Sequence, residues 1–199
     1  MPAAKKRPYR QTVRLAAAAN LRSRVLKAFH DLLLRRWIDE ITLDEVAASA
    51  ATTRQSVIRL FGGKDGLLEA VIGLIRAQAV PRVSMPEEIS GRAALKALLS
   101  HYEAAGDMVV RLLAQEERHA ALRPLLAQGR REHRAWVAQR FGSAQGDLSD
   151  LERERQITRL VAATDIYTWK LLRRDFGKTQ SEVLLLMAGI ISKELGEIE

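Results

Sequence analysis

Residues 41–68, ITLDEVAASAATTRQSVIRLFGGKDGLL, decide the fold. Thr42 followed three residues later by Glu45 has the form of a capping box, in which each side chain satisfies a free amide at the start of a helix. The spacing therefore predicts a helix from Leu43, with Leu43, Val46, Ala47 and Ala50 on one apolar face of small residues. Ala51, Thr52 and Thr53 end that face, and Thr53 can cap a second helix whose buried positions are Val57 and Phe61. Gly62 and Gly63 stop it. Between the buried positions fall Arg54, Gln55, Ser56 and Arg59, which are long or hydrogen-bonding and are expected to face outward.

Charge is unevenly distributed around this stretch. The 199-residue chain has a net charge of +8: thirteen Lys and Arg against five Asp and Glu up to Lys64, then nineteen of each from Asp65 onward. The whole excess lies on the segment that holds the two short helices. That is the electrostatic footprint of a nucleic-acid binder, whereas a merely soluble basic surface spreads its charge. The outward side chains of the second helix suit a major groove. Apolar residues make up 47% of the chain, enough to bury a core and to exclude a disordered chain. There is no cysteine, which removes disulfides, thiolate nucleophiles and Cys-based zinc sites together and suits a reducing compartment. The longest apolar run, residues 183–191, is about half of the roughly 20 residues that span a bilayer. MPAAKKRPYR, at the start, has no apolar stretch behind its charges of the kind a secretory signal needs. The expected location is the cytoplasm, with no membrane partner.

Residues 41–68 resemble the helix-turn-helix of the tetracycline-repressor (TetR) family of bacterial transcriptional regulators. The matching positions are Val46-Ala47, Ala50-Ala51, Thr52-Thr53, Ser56-Val57, Phe61, Lys64 and Leu67-Leu68, with no gap from Thr42 to Leu68. Ala51 stands where the family usually has a turn Gly, Ile58 where it has Tyr and Leu60 where it has His. Ala51 demands either a left-handed residue carrying a Cβ penalty or a different turn. Ile58 and Leu60 cannot make the hydrogen bonds to the DNA backbone that Tyr and His commonly make in the family, so operator contacts are shifted or weakened. The resemblance implies an all-α protein, with an N-terminal three-helix helix-turn-helix domain and a C-terminal helical domain for ligand binding and dimerisation. It further implies a homodimeric repressor, released from a near-palindromic double-stranded DNA operator by a small-molecule effector, with no cofactor and no metal. A regulator without an effector, or an activator, carries the same helix-turn-helix.

Four segments follow in chain order. Residues 1–14 are a basic arm (Lys5, Lys6, Arg7, Arg10, Arg14) that either follows phosphates or a minor groove, or only solubilises. Residues 15–63 are the helix-turn-helix domain; its first helix starts near Ala17, buries Leu21, Val25, Leu26, Phe29, Leu32 and Leu33, and keeps Arg22, Arg24 and Lys27 on its wet side. Residues 64–80 are a linking helix with Leu67, Leu68, Val71, Leu74 and Ile75 on its buried face. Pro81 and Pro86 break helicity before the ligand-binding and dimerisation domain at 87–199. Within that domain, residues 92–104 form a helix ended by Gly106-Asp107, which caps a next one through Leu112-Leu113. Pro124 suits the first turn of a helix to Phe141, and residues 142–146 are a loop. Capping boxes at Ser149/Glu152 and Thr179/Glu182 open the last two helices. The earlier of these carries Ile157, Leu160, Val161, Thr164 and Leu171. Residues 183–191, in the later one, are apolar nearly all round and must be covered on more than one side.

Arg54 is the leading base reader, because its planar fork can bond O6 and N7 of guanine together. Gln55 suits an adenine edge, and Ser56 and Arg59 suit phosphate or base. Thr42, Thr53 and Lys64 are the expected phosphate clamps, a role compatible with capping because a capped helix start already points amides at an anion. In the family the last two helices form a four-helix bundle with those of a second subunit, which implies a dimer interface of Ile157, Leu160, Val161, Leu184, Met187 and Ile191. His101, Tyr102, Trp136, Asp165, Tyr167 and Trp169 are candidates for lining an effector pocket, which the resemblance implies; any one of them taken singly reads more readily as a satisfied core or surface residue than as a ligand contact. A metal-dependent enzyme is the rival class. It would start from Glu116 and His119, an i, i+3 pair of the kind used by helical carboxylate metal sites, but Glu117 and Arg118 beside them read as a solvated face.

Overall fold

The structure, a computed structural model, describes residues 6–83, 90–142 and 148–196, with side chains from residue 15 onward except at 76–83. All regular structure among these residues is helical. The chain divides into two compact units, Met1–Ile75 and Arg76–Glu199.

The first unit contains α1 (Lys6–Leu33), a 3-10 turn (Ile38–Glu40), α2 (Leu43–Ser49), α3 (Arg54–Phe61) and the start of α4 (Lys64–Val83). The capping box opens α2 as its spacing predicts: Glu45 N–H donates to Thr42 Oγ1 at 3.2 Å, and Thr42 N–H donates to Glu45 Oε2 at 2.8 Å. Thr53 Oγ1 caps α3 by accepting from Ser56 N–H at 3.2 Å. Val25, Phe29 and Leu33 of α1 are buried, as are Val46, Ala47 and Ala50, then Val57 and Phe61, then Leu67, Leu68, Val71 and Ile72. Leu43, Leu74 and Ile75 are only half-buried. Packing of α1 on α2 and of α2 on α3 makes the three-helix arrangement.

Two helices run further than their sequences predict. α1 begins at Lys6 rather than near Ala17, so residues 6–14 continue the helix; Pro8 falls in its first turn, where the missing N–H costs no bond. Met1 to Lys5 lie outside the described residues. α4 passes through Pro81 to Val83; that proline removes one backbone bond, and the helix ends two residues later.

The turn after α2 settles the question raised by Ala51. Thr52 N–H donates back to the Ala47 carbonyl at 2.9 Å and Ala51 N–H to Ala48 at 3.1 Å, while Ala51 adopts a left-handed φ of 50°. The six-to-one closure with a left-handed residue is a Schellman stop, so the turn keeps its geometry and Ala51 bears the Cβ penalty. Ala51→Gly is expected to stabilise this unit by about 0.5–1 kcal/mol, the left-handed penalty less the extra freedom of glycine in the unfolded chain. A urea titration checks it, and an unchanged or lower midpoint counts against the strain.

The second unit packs α5 (Gly91–Ala114), α6 (Leu122–Phe141), α7 (Asp150–Thr164), the short α8 (Ile166–Lys170) and α9 (Gln180–Leu195), with a π-type turn at Leu171–Asp175 between α8 and α9. Its core includes Leu95, Leu99 and Tyr102 of α5, Trp136, Val137 and Phe141 of α6, and Leu160, Trp169, Val183, Met187 and Ile191. The capping boxes at Ser149/Glu152 and Thr179/Glu182 form and open α7 and α9. Residues 143–147, most of the expected loop, lie outside the described residues.

Two expectations fail here. Gly106-Asp107 does not end a helix: α5 runs unbroken to Ala114, and a Cβ on Gly106 would lie 2.5 Å from the Trp169 ring. That glycine is where the α5 backbone admits the indole, and the packing offsets the roughly 1 kcal/mol a mid-helix glycine costs. Nor does α7 reach Leu171. Asp165, extended at ψ 152°, accepts from Tyr167 N–H at 2.8 Å and starts α8 as a new helix.

Candidate nucleic-acid interface

α3 is anchored on one side and free on the other. Val57 and Phe61 are buried, and Gly62 ends the helix in a left-handed conformation at φ 78°. From α1, the Arg22 guanidinium lies 4.5 Å above the Phe61 ring and donates through Nη1 to the Leu60 carbonyl at 3.2 Å. A cation at a helix C-terminus is favourably placed against the dipole. Arg22 therefore braces the end of α3, a role its wet-side position in the sequence does not reveal.

Arg54, Gln55 and Arg59 emerge together on the exposed side of α3. The Arg54 Nη1 stands 3.4 Å from Asp44 Oδ2 at the start of α2, with both side chains largely exposed. Such a pair contributes little to stability and leaves the guanidinium able to re-pair. Ser56 is half-buried, and its hydroxyl accepts from Thr53 Oγ1 at 3.1 Å, so it belongs to the helix cap more than to the free face. Lys64 Nζ donates to the Asp39 carbonyl at 3.4 Å.

Thr42 is exposed at the start of α2, where its box is reinforced by a residue that sequence reading did not single out. Arg36 donates to Glu45 Oε1 at 2.5 Å and to the Glu40 carbonyl at 2.7 Å. The Thr42 amide, then Arg36 and the Thr42 hydroxyl, hold the Glu45 carboxyl down at about 2. An ionised carboxylate is thus fixed at the N-terminus of α2. No motif marks Arg36; only the fold brings it nine residues back onto Glu45.

The effector candidates separate into different surroundings. Tyr102 and Trp169 are buried with ring centroids 5.8 Å apart, and His101 lies 6.1 Å from Tyr102. The Tyr102 hydroxyl donates to the Thr164 carbonyl at 3.1 Å. Trp136 is buried elsewhere in the core, stacked on His133 at 5.9 Å and edge-on to Phe141. Asp165 caps α8, and Tyr167 faces outward. His133, which the sequence did not flag, lies 3.0 Å from Thr164 Oγ1, and burial pushes its imidazole pKa down.

Glu116 and His119 lie in the turn between α5 and α6, where helical i, i+3 spacing does not apply, and Arg130 takes both oxygens of Glu116 at 3.0 and 2.7 Å. Among the described residues no group of three His, Asp or Glu is placed to hold a metal, and no helix is long and apolar enough to cross a membrane.

Of the residues expected at a dimer contact, Leu160, Met187 and Ile191 point into the unit's own core, with Ile157, Val161 and Leu184 half-buried against it. The apolar side chains left outside on α9 are Leu185 at 57%, Leu186 at 44% and Ile190 at 48% exposure.

Comparison with known proteins agrees with this geometry. Residues 25–71 match the family described as "Bacterial regulatory proteins, tetR family". The chain is 44% identical over 54 residues to the HTH-type transcriptional regulator AlkX of Mycobacterium tuberculosis; the match covers 27% of this chain and 26% of that relative. It thus spans about a quarter of the relative's length. The fold as a whole is similar to a crystal structure of a tetR-family transcriptional regulator from Streptomyces coelicolor, with a TM-score of 0.66, 17% identity and 90% of each chain covered.

Proposed function

We propose, from the match of residues 25–71 to the tetR family of bacterial regulatory proteins, that the chain is a member of that family and a sequence-specific, DNA-binding transcriptional regulator. The observation that carries the reading is the free face of α3, where Arg54, Gln55 and Arg59 are exposed above the buried anchors Val57 and Phe61. The excess of +8 on residues 1–64 supports it, because phosphate neutralisation supplies most of the affinity of such proteins. Thr42, Thr53 and Lys64, at the starts of α2, α3 and α4, are the proposed phosphate contacts, with Ser56 beside them.

We further propose that the regulator acts as a homodimer and a repressor. A twofold protein matches a near-palindromic operator, and the uncovered Leu185, Leu186 and Ile190 supply an apolar face for the second copy, with Ile157, Val161 and Leu184 at its edge. A small-molecule effector held by the second unit would release the operator by favouring a pose with lower DNA affinity, to the extent of its differential affinity for the two poses. His101 and Asp165, polar and half-buried, are its candidate polar contacts.

Selection of sites from a random duplex pool, repeated with Arg54→Ala at fixed salt, tests the reading. The wild type is expected to enrich a near-palindrome. Arg54→Ala is expected to bind it about 1–3 kcal/mol more weakly and to relax preference at one base position in each half. An identical profile from the two proteins would remove Arg54 from base reading, and binding with no enriched sequence would reduce the protein to a nonspecific DNA binder.

A further inference from the structure

Resting on the reading of α3 as the helix that enters the major groove, we propose that Ile58 reads the C5-methyl group of a thymine. Ile58 is 41% exposed, although it sits in a helix whose other large apolar residues, Val57 and Phe61, are buried. It lies one turn beyond both Arg54 and Gln55, at i+4 and i+3, and residues at those spacings are neighbours on a helix surface. The free face of α3 therefore presents an apolar branched side chain beside an arginine and a glutamine. In the major groove only the thymine methyl offers an apolar partner among the hydrogen-bonding edges, and an apolar side chain recognises it by contact.

The neighbours fix which surface Ile58 would meet. Leu60 is half-buried and offers its carbonyl to Arg22, so Ile58 is the exposed apolar group on this helix. Around it are Arg54 and Arg59 in a segment carrying the chain's whole charge excess, which complements a polyanion and argues against a second apolar protein face here. Ile58 has no hydrogen bond to give, so its contribution at a base edge is discrimination between thymine and cytosine by contact with the methyl group. The site it reads lies next to the base pairs taken by Arg54 and Gln55.

The test removes only the methyl group. From the sequence enriched by the full-length protein, each thymine is replaced in turn by deoxyuridine, which keeps every hydrogen-bonding edge, and binding is measured by fluorescence anisotropy at fixed salt. One thymine per half-site is expected to matter, with affinity falling about fourfold per replacement, the effect of one buried methyl group. Ile58→Ala should lose that dependence while keeping its preference at the Arg54 position, and Ile58→Val, which keeps the branched methyls, should retain it. If all deoxyuridine positions are neutral for the wild type, or Ile58→Ala keeps the dependence, the assignment is overturned and the proposed function stands. If no sequence is enriched at all, both fall together.

Discussion

Trp169→Ala is expected to destabilise the second unit by about 3–5 kcal/mol, in the range for removing a fully buried indole. Trp169 has no exposed surface, packs against Tyr102, and has the Arg174 guanidinium 4.7 Å over its face. Its Nε1 donates to Glu103 Oε1 at 3.1 Å, the oxygen that also accepts from Arg173 Nε at 2.8 Å. Arg174 in turn makes a two-pronged pair with Asp107 at 2.9 and 3.0 Å. One side chain thus ties α8 and the π-type turn to the face of α5 formed by Glu103, Gly106 and Asp107. Because Gly106 has no side chain to move into the vacated space, collapse around the cavity is limited, which favours the upper part of the range. Urea unfolding followed by far-UV circular dichroism measures the loss, with Trp169→Phe as a companion. A change below about 1 kcal/mol in Trp169→Ala would show that the unit repacks freely, contrary to the close contact at Gly106.

Gly106 also shows where sequence reasoning reached its limit. The helix-turn-helix was legible because its signals are local: Thr42 and Glu45 are three residues apart, Thr53 and Ser56 likewise, and the apolar positions Val46, Ala47, Val57 and Phe61 declare their faces at helical spacing. The boxes at Ser149 and Thr179 were read for the same reason. Gly106 followed by Asp107 carries the same letters as a stop signal, yet its partner is Trp169, 63 residues later, and no local rule contains that contact. Asp165 shows the converse. It caps α8, but Val161, Thr164 and Leu171 continue a helical rhythm that hides the break.

The candidate sites divide along the same line. Arg54, Gln55 and Arg59 were readable because exposure on α3 follows from periodicity alone. Arg22 and Arg36 were not, since each acts through a distant partner, Leu60 and Phe61 for the first and Glu45 for the second. Among the effector candidates, aromatic character could not tell a core residue from a ligand contact, and three of the six, Tyr102, Trp136 and Trp169, are core. Apolarity all round α9 did predict that something must cover it, but not which residues. Leu160, Met187 and Ile191 face inward, and the demand for a cover rests on Leu185, Leu186 and Ile190.

That demand gives the second large expected effect. The double variant Leu186→Glu, Ile190→Glu is expected to sediment at the mass of one chain while the wild type sediments at twice that mass. The two positions are i, i+4 on one stripe of α9 and both are substantially exposed in the single chain, so charges there leave the unit's fold within about 0.5 kcal/mol of the wild type. In an isologous contact each patch meets its own copy, and four carboxylates would then be brought together in an apolar interface without partners, which a dimer cannot accommodate. DNA affinity should follow. Two linked recognition helices bind the second half-site at a high effective concentration, and losing that linkage is expected to weaken operator binding by about 10²–10⁴-fold. The steepness of the salt dependence should fall by about half, since half the phosphate contacts go with the second subunit. Sedimentation and anisotropy on the same preparations separate the outcomes. A double variant that still sediments as two chains places the interface elsewhere on the second unit. A monomeric variant that binds the operator as tightly as the wild type would mean that one copy of α3 suffices, and the near-palindrome would then reflect two independent sites.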